Sequence, residues 1–303
     1  RPLTGHDGWV LSVLTTTIEG RPCIVSGGED WTLQVWDLAT GQQVGEPVNG
    51  NTDKVRALAT TVLDGRPHVI AGSQDGMVRV WDLSSGGQVG ERLTGHEEGV
   101  LAVATAVVDG RPVAVSGSSD RTVRVWDLTT GQQIGQPLTD EGDWVWAVAT
   151  AVLDGRPHAI AGCADWTVRV WDLTSGGQVG EPLNGHEEGV LAVATAVVDS
   201  RPVAITGSFD DVRLWDLTTR EQIGEPLTGH TGDVNAVATA VVDCRPIAVT
   251  GGDDGTVRLW DLTTGDRVGP ESEFPLPVCA VAVVPDGRLV VGFGWEVAVL
   301  SRR

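Results

Sequence analysis

Residues 95–109 read GHEEGVLAVATAVVD, and the same fifteen residues return unchanged at 185–199. The tetrapeptide VWDL or LWDL subdivides this echo, ending at 38, 83, 128, 173, 217 and 262. It places Trp36, Trp81, Trp126, Trp171, Trp215 and Trp260 at intervals of 45, 45, 45, 44 and 45 residues. The chain is therefore an array of units of about 45 residues. Within one unit VLAVATAVV alternates small and branched residues, DGRP turns, VAVSG follows and SSDR turns again. TVRVWDL then runs on, and TTGQ leads into QIGQPLT. These are four short strands rich in Val, Ile and Thr, with no helical period. One such sheet cannot bury both faces, so neighbouring sheets must stack face to face and close a ring.

Composition excludes several classes. With 303 residues, 41% hydrophobic, 40 glycines and 15 prolines, this is a folded chain dense in turns and not a disordered one. No apolar run approaches the roughly 18 residues of a membrane helix, and no secretory pattern opens the chain. The formal charge is −20, with Lys54 the one lysine among 21 cations. A surface this acidic repels phosphate backbones, which argues against nucleic acid and for cationic partners. Cys23, Cys163, Cys244 and Cys279 form no Cys-x-x-Cys pair; they are expected as free thiols in a reducing, cytoplasmic compartment. No His, Cys or carboxylate spacing calls for a metal, and no motif calls for a cofactor. The weight of Ala, Val, Gly, Arg and Asp fits a GC-rich, bacterial coding sequence.

The Gly-His pairs at 5–6, 95–96, 185–186 and 229–230, taken with the Trp-Asp dipeptides, resemble the WD40 repeat over essentially the whole chain. The resemblance implies an all-β, seven-bladed WD40 β-propeller whose inner strands start near Val10, Val55, Val100, Val145, Val190, Val234 and Val278. The last unit, CAVAVVPDGRLVVGFGWEVAVL, holds only three strands. The N-terminal RPLTGH matches GEPLTGH and GERLTGH, so residues 1–5 are expected to complete blade seven and close the ring. Residues 1–303 then form one monomeric domain, of the kind found at the end of larger bacterial regulatory proteins.

The resemblance also implies buried hydrogen-bonded tetrads: His6, Ser26, Asp30 and Trp36; His96, Ser116, Asp120 and Trp126; His186, Thr206, Asp210 and Trp215; His230, Thr250, Asp254 and Trp260. The third set has one residue deleted between its aspartate and its tryptophan. Blades two and four carry Asn51 and Glu141 in place of His, and Ala71 and Ala161 in place of the hydroxyl. The joint loss is physically sensible, because a half-satisfied buried network costs more than none. A His/Ser/Asp set suggests a hydrolase triad, but four copies on one ring read as scaffold. His68 and His158 are expected at a solvent edge. The arginines that follow each DG-type turn (Arg21, Arg66, Arg111, Arg156, Arg201, Arg245, Arg288) are expected to pair with the acid two positions earlier. Those two before the repeat Trp (Arg79, Arg124, Arg169, Arg213, Arg258) read as packing.

Individuality lies where the repeats disagree. The residue after the inner-strand Val is Leu11, Arg56, Leu101, Trp146, Leu191, Asn235 or Cys279. The residue before that Val is Trp9, Lys54, Gly99, Trp144, Gly189, Asp233 or Pro277. Trp31 and Trp166 follow the turn aspartate in blades one and four, Phe209 lies in the matching turn of blade five, and Trp295 lies in blade seven. In this family that end of the inner strand opens on the top face and central channel. Exposed Trp dominates binding hot spots, and the same loops carry Glu29, Glu97, Glu98, Asp143, Glu187, Glu188, Asp233, Asp253 and Asp254. The expected function is a non-enzymatic scaffold or sensor. Its partner is a protein or a cationic peptide with an apolar anchor, met by Trp144, Trp146, Trp9, Trp31, Trp166, Leu11, Arg56, Leu101, Leu191 and Asn235. Two rivals are a glycan or small-ligand sensor that stacks on the same Trp, and an enzyme at the channel mouth. The latter lacks clustered, unrepeated acid–base residues.

Overall fold

The computed structural model describes residues 2–139 and 142–301. Arg1, at the start of the predicted closing segment, and Glu141, the predicted replacement for a tetrad histidine, lie outside them. Seven antiparallel sheets follow one another among the described residues, and there is no helix. Blade three shows the full unit: Val100–Val108, Arg111–Ser118, Val123–Asp127 and Gln132–Leu138, from the axis outward. In blades one, two and four the outer strand touches its neighbour only through paired bridges, such as Leu33 with Val48 and Trp36 with Gln43.

The first hairpin of blades one to six is set by its turn chemistry. Glu19–Gly20, Asp64–Gly65, Asp109–Gly110 and Asp154–Gly155 place two successive residues at positive φ, the I′ geometry that matches strand twist. Strand pairing then continues without a break from Ile18 opposite Arg21 to Ser12 opposite Gly27.

Closure follows the sequence reading. Leu3–Thr4 pairs antiparallel with Glu296–Leu300 (Leu3 opposite Val297), so the N-terminal strand becomes the outer strand of the sheet that also holds Val278–Val283 and Leu289–Phe293.

Adjacent blades are locked by one glycine per sheet. A Cβ at Gly27 would lie 2.7 Å from Val55 Cγ1, one at Gly72 2.6 Å from Val100 Cγ1, and one at Gly117 2.5 Å from Val145 Cγ1. The same relation runs from Gly162 to Val190, Gly207 to Val234, Gly251 to Val278 and Gly292 to Val10, which completes the circle. Only hydrogen fits there, and the inner-strand valine of the next blade fills the space. Threonine hydroxyls add a second belt: Thr105, Thr150, Thr195 and Thr239 each donate to the backbone carbonyl of Thr60, Thr105, Thr150 and Thr195 in the preceding blade, at 2.8–3.0 Å. Thr15 donates to the Val283 carbonyl across the closure.

Two expectations change. His68 and His158 are buried rather than at a solvent edge, and each hydrogen-bonds the carbonyl two residues back, Arg66 or Arg156, through Nδ1 at 2.9 Å. Four turn arginines reach the aspartate of the Trp-Asp dipeptide, not the acid two positions earlier: Arg66 to Asp82, Arg111 to Asp127, Arg156 to Asp172 and Arg201 to Asp216, at 3.3–3.9 Å. The hairpin geometry explains this, since the turn acid's own backbone occupies the first positive-φ position, whereas the Trp-Asp aspartate lies on the adjoining strand. Arg288 keeps the expected partner, Asp286, at 2.8 Å.

Candidate functional site

The tetrads sit between the hairpins of their own blades. His6 Nδ1 lies 2.8 Å from Asp30 Oδ2, His6 Nε2 lies 2.8 Å from Ser26 Oγ, and Trp36 Nε1 donates to the same Oγ at 3.1 Å. Blades three and six repeat the arrangement through His96 and His230. In a neutral ring the donations run from Trp to hydroxyl to His to Asp. In blade five the aspartate is Asp211, not Asp210: His186 Nδ1 is 2.7 Å from Asp211 Oδ1. The one-residue deletion shortens the turn, so the carboxylate nearer the strand takes the place. Burial raises the carboxyls of Asp30, Asp120 and Asp211, but the hydrogen bonds from His6, His96 and His186 outweigh it and hold them below the usual range. Ser26, Ser116, Thr206 and Thr250 have no exposure and each already accepts a tryptophan N–H, so none can meet a substrate.

Blades two and four fill the same place differently. Arg79 has no exposure and grips Asp75 through two nitrogens, at 2.7 and 3.2 Å. Arg169 pairs with Asp165 at 2.8 Å. The strand arginines read as packing therefore carry ion pairs with the turn aspartate, and blades that keep the histidine share them, Arg213 with Asp211 at 2.7 Å and Arg258 with Asp254 at 3.6 Å. Asn51 turns away and donates to the Trp31 carbonyl at 3.2 Å. Trp81 Nε1, deprived of a hydroxyl by Ala71, is buried without a partner.

Leu11, Arg56, Leu101, Trp146, Leu191, Asn235 and Cys279 converge on one axial channel of about 210 Å3. Strand register explains how. Val10 pairs with Gly28 and Ser12 with Gly27, which leaves Leu11 as the extra residue of a β-bulge. The same step isolates Arg56, Leu101, Trp146, Asn235 and Cys279. A bulge redirects its extra side chain out of the sheet pattern, here into the channel. Trp144 is 43% exposed and meets Trp146 edge-on, with centroids 5.4 Å apart. Trp9 is half-buried, and its carbonyl accepts the Glu29 N–H at 2.9 Å.

Trp31 and Trp166 stand apart from the channel, on turns, each 51% exposed. Both adopt positive φ, +68° and +72°, at the position that Gly76, Arg121 (+70°) and Gly255 occupy in other blades. A bulky residue held there costs about 1–3 kcal/mol in backbone strain. Trp295 is 58% exposed beside Gly294, whose carbonyl accepts the Val10 N–H, so blades seven and one present their tryptophans together.

Charge at the mouth is uneven. Lys54 Nζ pairs with Glu29 at 2.6 Å, and Arg56 Nε donates to Gln74 at 2.9 Å, so blades one and two are partly compensated. Asp233 is raised by burial and by Asp253 and Glu188 beside it. The Cys279 thiol is pushed up to about 11 by burial and by Asp253 and Glu29, which leaves it protonated and a poor nucleophile. The acidic side of the mouth thus runs through blades five and six. Among the described residues no group of three or more His, Cys, Asp or Glu could hold a metal ion, and no helix is long and apolar enough to cross a membrane.

The family model described as "WD domain, G-beta repeat" matches residues 1–37, 41–82, 87–127, 133–172 and 221–261, more than half of the chain. The unmatched stretches hold blade five, with its shortened turn, and blade seven, which has no Trp-Asp pair. No curated protein matches the chain.

Proposed function

The chain belongs to the WD domain, G-beta repeat family, and from that premise we propose that it is a non-enzymatic docking platform for a protein or peptide on its tryptophan-bearing face. The observation that carries this reading is a cost without a structural return. Trp31 and Trp166 occupy strained positive-φ positions, held by Gly76, Arg121 and Gly255 in blades two, three and six, yet half of each side chain remains in water. Burial does not account for them, whereas contact with a partner does.

An apolar anchor on the partner enters beside Trp144 and Trp146, and basic residues meet Asp233, Asp253 and Glu188 on blades five and six. Steering by a chain of charge −20 favours the same partner. The tetrad hydroxyls are buried and the Cys279 thiol is protonated, which supports a non-enzymatic reading.

Selection of random peptides displayed on phage tests this reading. It predicts enrichment of an aromatic or aliphatic residue flanked by Lys or Arg, with binding that weakens as salt rises. Enrichment of acidic peptides, or binding indifferent to salt, contradicts the charge assignment. Saturable binding of sugars without any peptide selection favours the stacking-sensor alternative.

A further inference from the structure

Each repeat tryptophan also packs against the preceding blade. Trp81 lies with Ile18, Val25 and Val35 of blade one, and Trp36 with Val290 and Val297 of blade seven. Trp126, Trp171, Trp215 and Trp260 do the same at the next four interfaces. At the interface of blades six and seven the register puts a smaller residue in that place. Gly27 pairs with Leu33 and Ile24 with Trp36 in blade one; Gly292 pairs with Val297 and Leu289 with Leu300 in blade seven. Leu300 therefore stands where the other blades have the indole.

The facing outer strand loses bulk at the same interface. Val48, Leu93, Leu138, Leu183 and Leu227 bridge the third strand of their blades, but in blade six the residue opposite Val257 is Ser272. The result is a cavity of about 620 Å3 between blades six and seven, against about 320 Å3 at the corresponding place between blades one and two, where Trp81 is present.

Its walls are apolar, formed by Ile247, Val249, Leu259, Leu289 and Leu300. Val291, opposite Ala298, takes the register position of Ser26, so no tetrad hydroxyl awaits an N–H there. At the rim Glu271 is taken up by Arg267 at 2.5 Å and Arg258 at 3.8 Å, and among the described lining residues no other charged side chain faces the cavity.

We propose that this cavity is a binding site for a small, uncharged, flat aromatic molecule of one or two fused rings, seated where the indole is missing. The volume lies in the range of ligand pockets. The slot lies between two sheet faces and is the seventh copy of a space that an indole fills six times. Among the described lining residues an ionised ligand would lose its hydration without finding a free counter-charge.

Titration of the intact chain with indole, followed by calorimetry and by ligand-observed NMR, tests the site. One equivalent should bind saturably. Leu300→Trp and Ser272→Leu, each restoring the side chain that sibling blades carry, should weaken binding at least tenfold while melting no lower than the native chain. If Leu300→Trp does not fold, Ser272→Leu decides alone. Absence of saturable binding, a stoichiometry above one, or unchanged affinity in a folded filled variant overturns the proposal.

Discussion

Replacing Arg79 by methionine keeps the aliphatic bulk of a side chain that has no solvent exposure and removes its charge. Asp75, whose side chain is only 13% exposed, then loses the two guanidinium contacts at 2.7 and 3.2 Å. Breaking one side of a buried pair costs about 3–5 kcal/mol, because the remaining charge is left desolvated. Asp75 still accepts the Met77 N–H at 3.1 Å and the Thr52 hydroxyl, so the lower end, about 3 kcal/mol, is expected at pH 7. The loss also depends on pH. In the native chain burial raises Asp75, but the bonds from Arg79 and Thr52 outweigh it and hold the carboxyl below its ordinary value. Its stabilisation is therefore present above the unfolded pKa of about 4 and lost as pH falls through the folded value. Without Arg79 the carboxyl rises, protonation relieves the buried charge, and the gap between variant and native chain narrows as pH is lowered toward 4. Urea denaturation followed by tryptophan fluorescence at pH 7 and pH 4.5 measures both effects. A loss below about 1 kcal/mol at pH 7, typical of an exposed pair, or a gap indifferent to pH, refutes the reasoning.

Three further outcomes follow from the geometry. Gly117→Ala puts a methyl 2.5 Å from Val145 Cγ1 and 2.7 Å from Val148 Cγ2; it should cost about 1–3 kcal/mol, and a double-mutant cycle with Val145→Ala should recover part of that loss. Trp166→Gly should stabilise the fold by about 0.5–1 kcal/mol by relieving the positive φ while weakening peptide binding; a loss of both stability and binding would make the tryptophan structural. His230 is lowered by burial, only partly offset by Asp254. Its contribution is thus complete above the unfolded pKa of about 6.5 and is lost as pH falls below it. Converting the blade to the blade-two pattern with His230→Asn and Thr250→Ala should flatten the slope of stability between pH 7 and 5, and an unchanged slope contradicts the assignment.

The repeat made the architecture legible: a 45-residue period of strands and turns leaves few ways to bury every sheet face. Ring closure was legible because RPLTGH copies an outer-strand sequence found intact elsewhere. Channel-mouth residues can be grouped by repeat position alone, yet the reason six of the seven face the axis, a β-bulge after the inner-strand valine, has no sequence signature of its own. In blade five alignment points to Asp210 while the fold uses Asp211, since a gap does not show on which side the chain shortens. The strand arginines recur at a position that suggests packing, and their pairing with the turn aspartate, Arg79 with Asp75, Arg169 with Asp165 and Arg213 with Asp211, shows only in the structure. His68 and His158 follow a turn, which suggests an edge, but in strand register they lie opposite the Trp-Asp aspartates, inside the blade. The threonine belt was in plain view as the centre of AVATAVV, and its meaning required the neighbouring carbonyls.

The central claim is that the tryptophan face binds a partner. Its most direct test is the affinity of the best selected peptide for the native chain and for a Trp144→Ala, Trp146→Ala variant shown by thermal melting to be folded. Loss of a hot spot corresponds to at least about 2 kcal/mol, roughly a thirtyfold weaker Kd, and that is the result predicted. Equal affinities would contradict the account and move the binding surface away from the mouth of blade four.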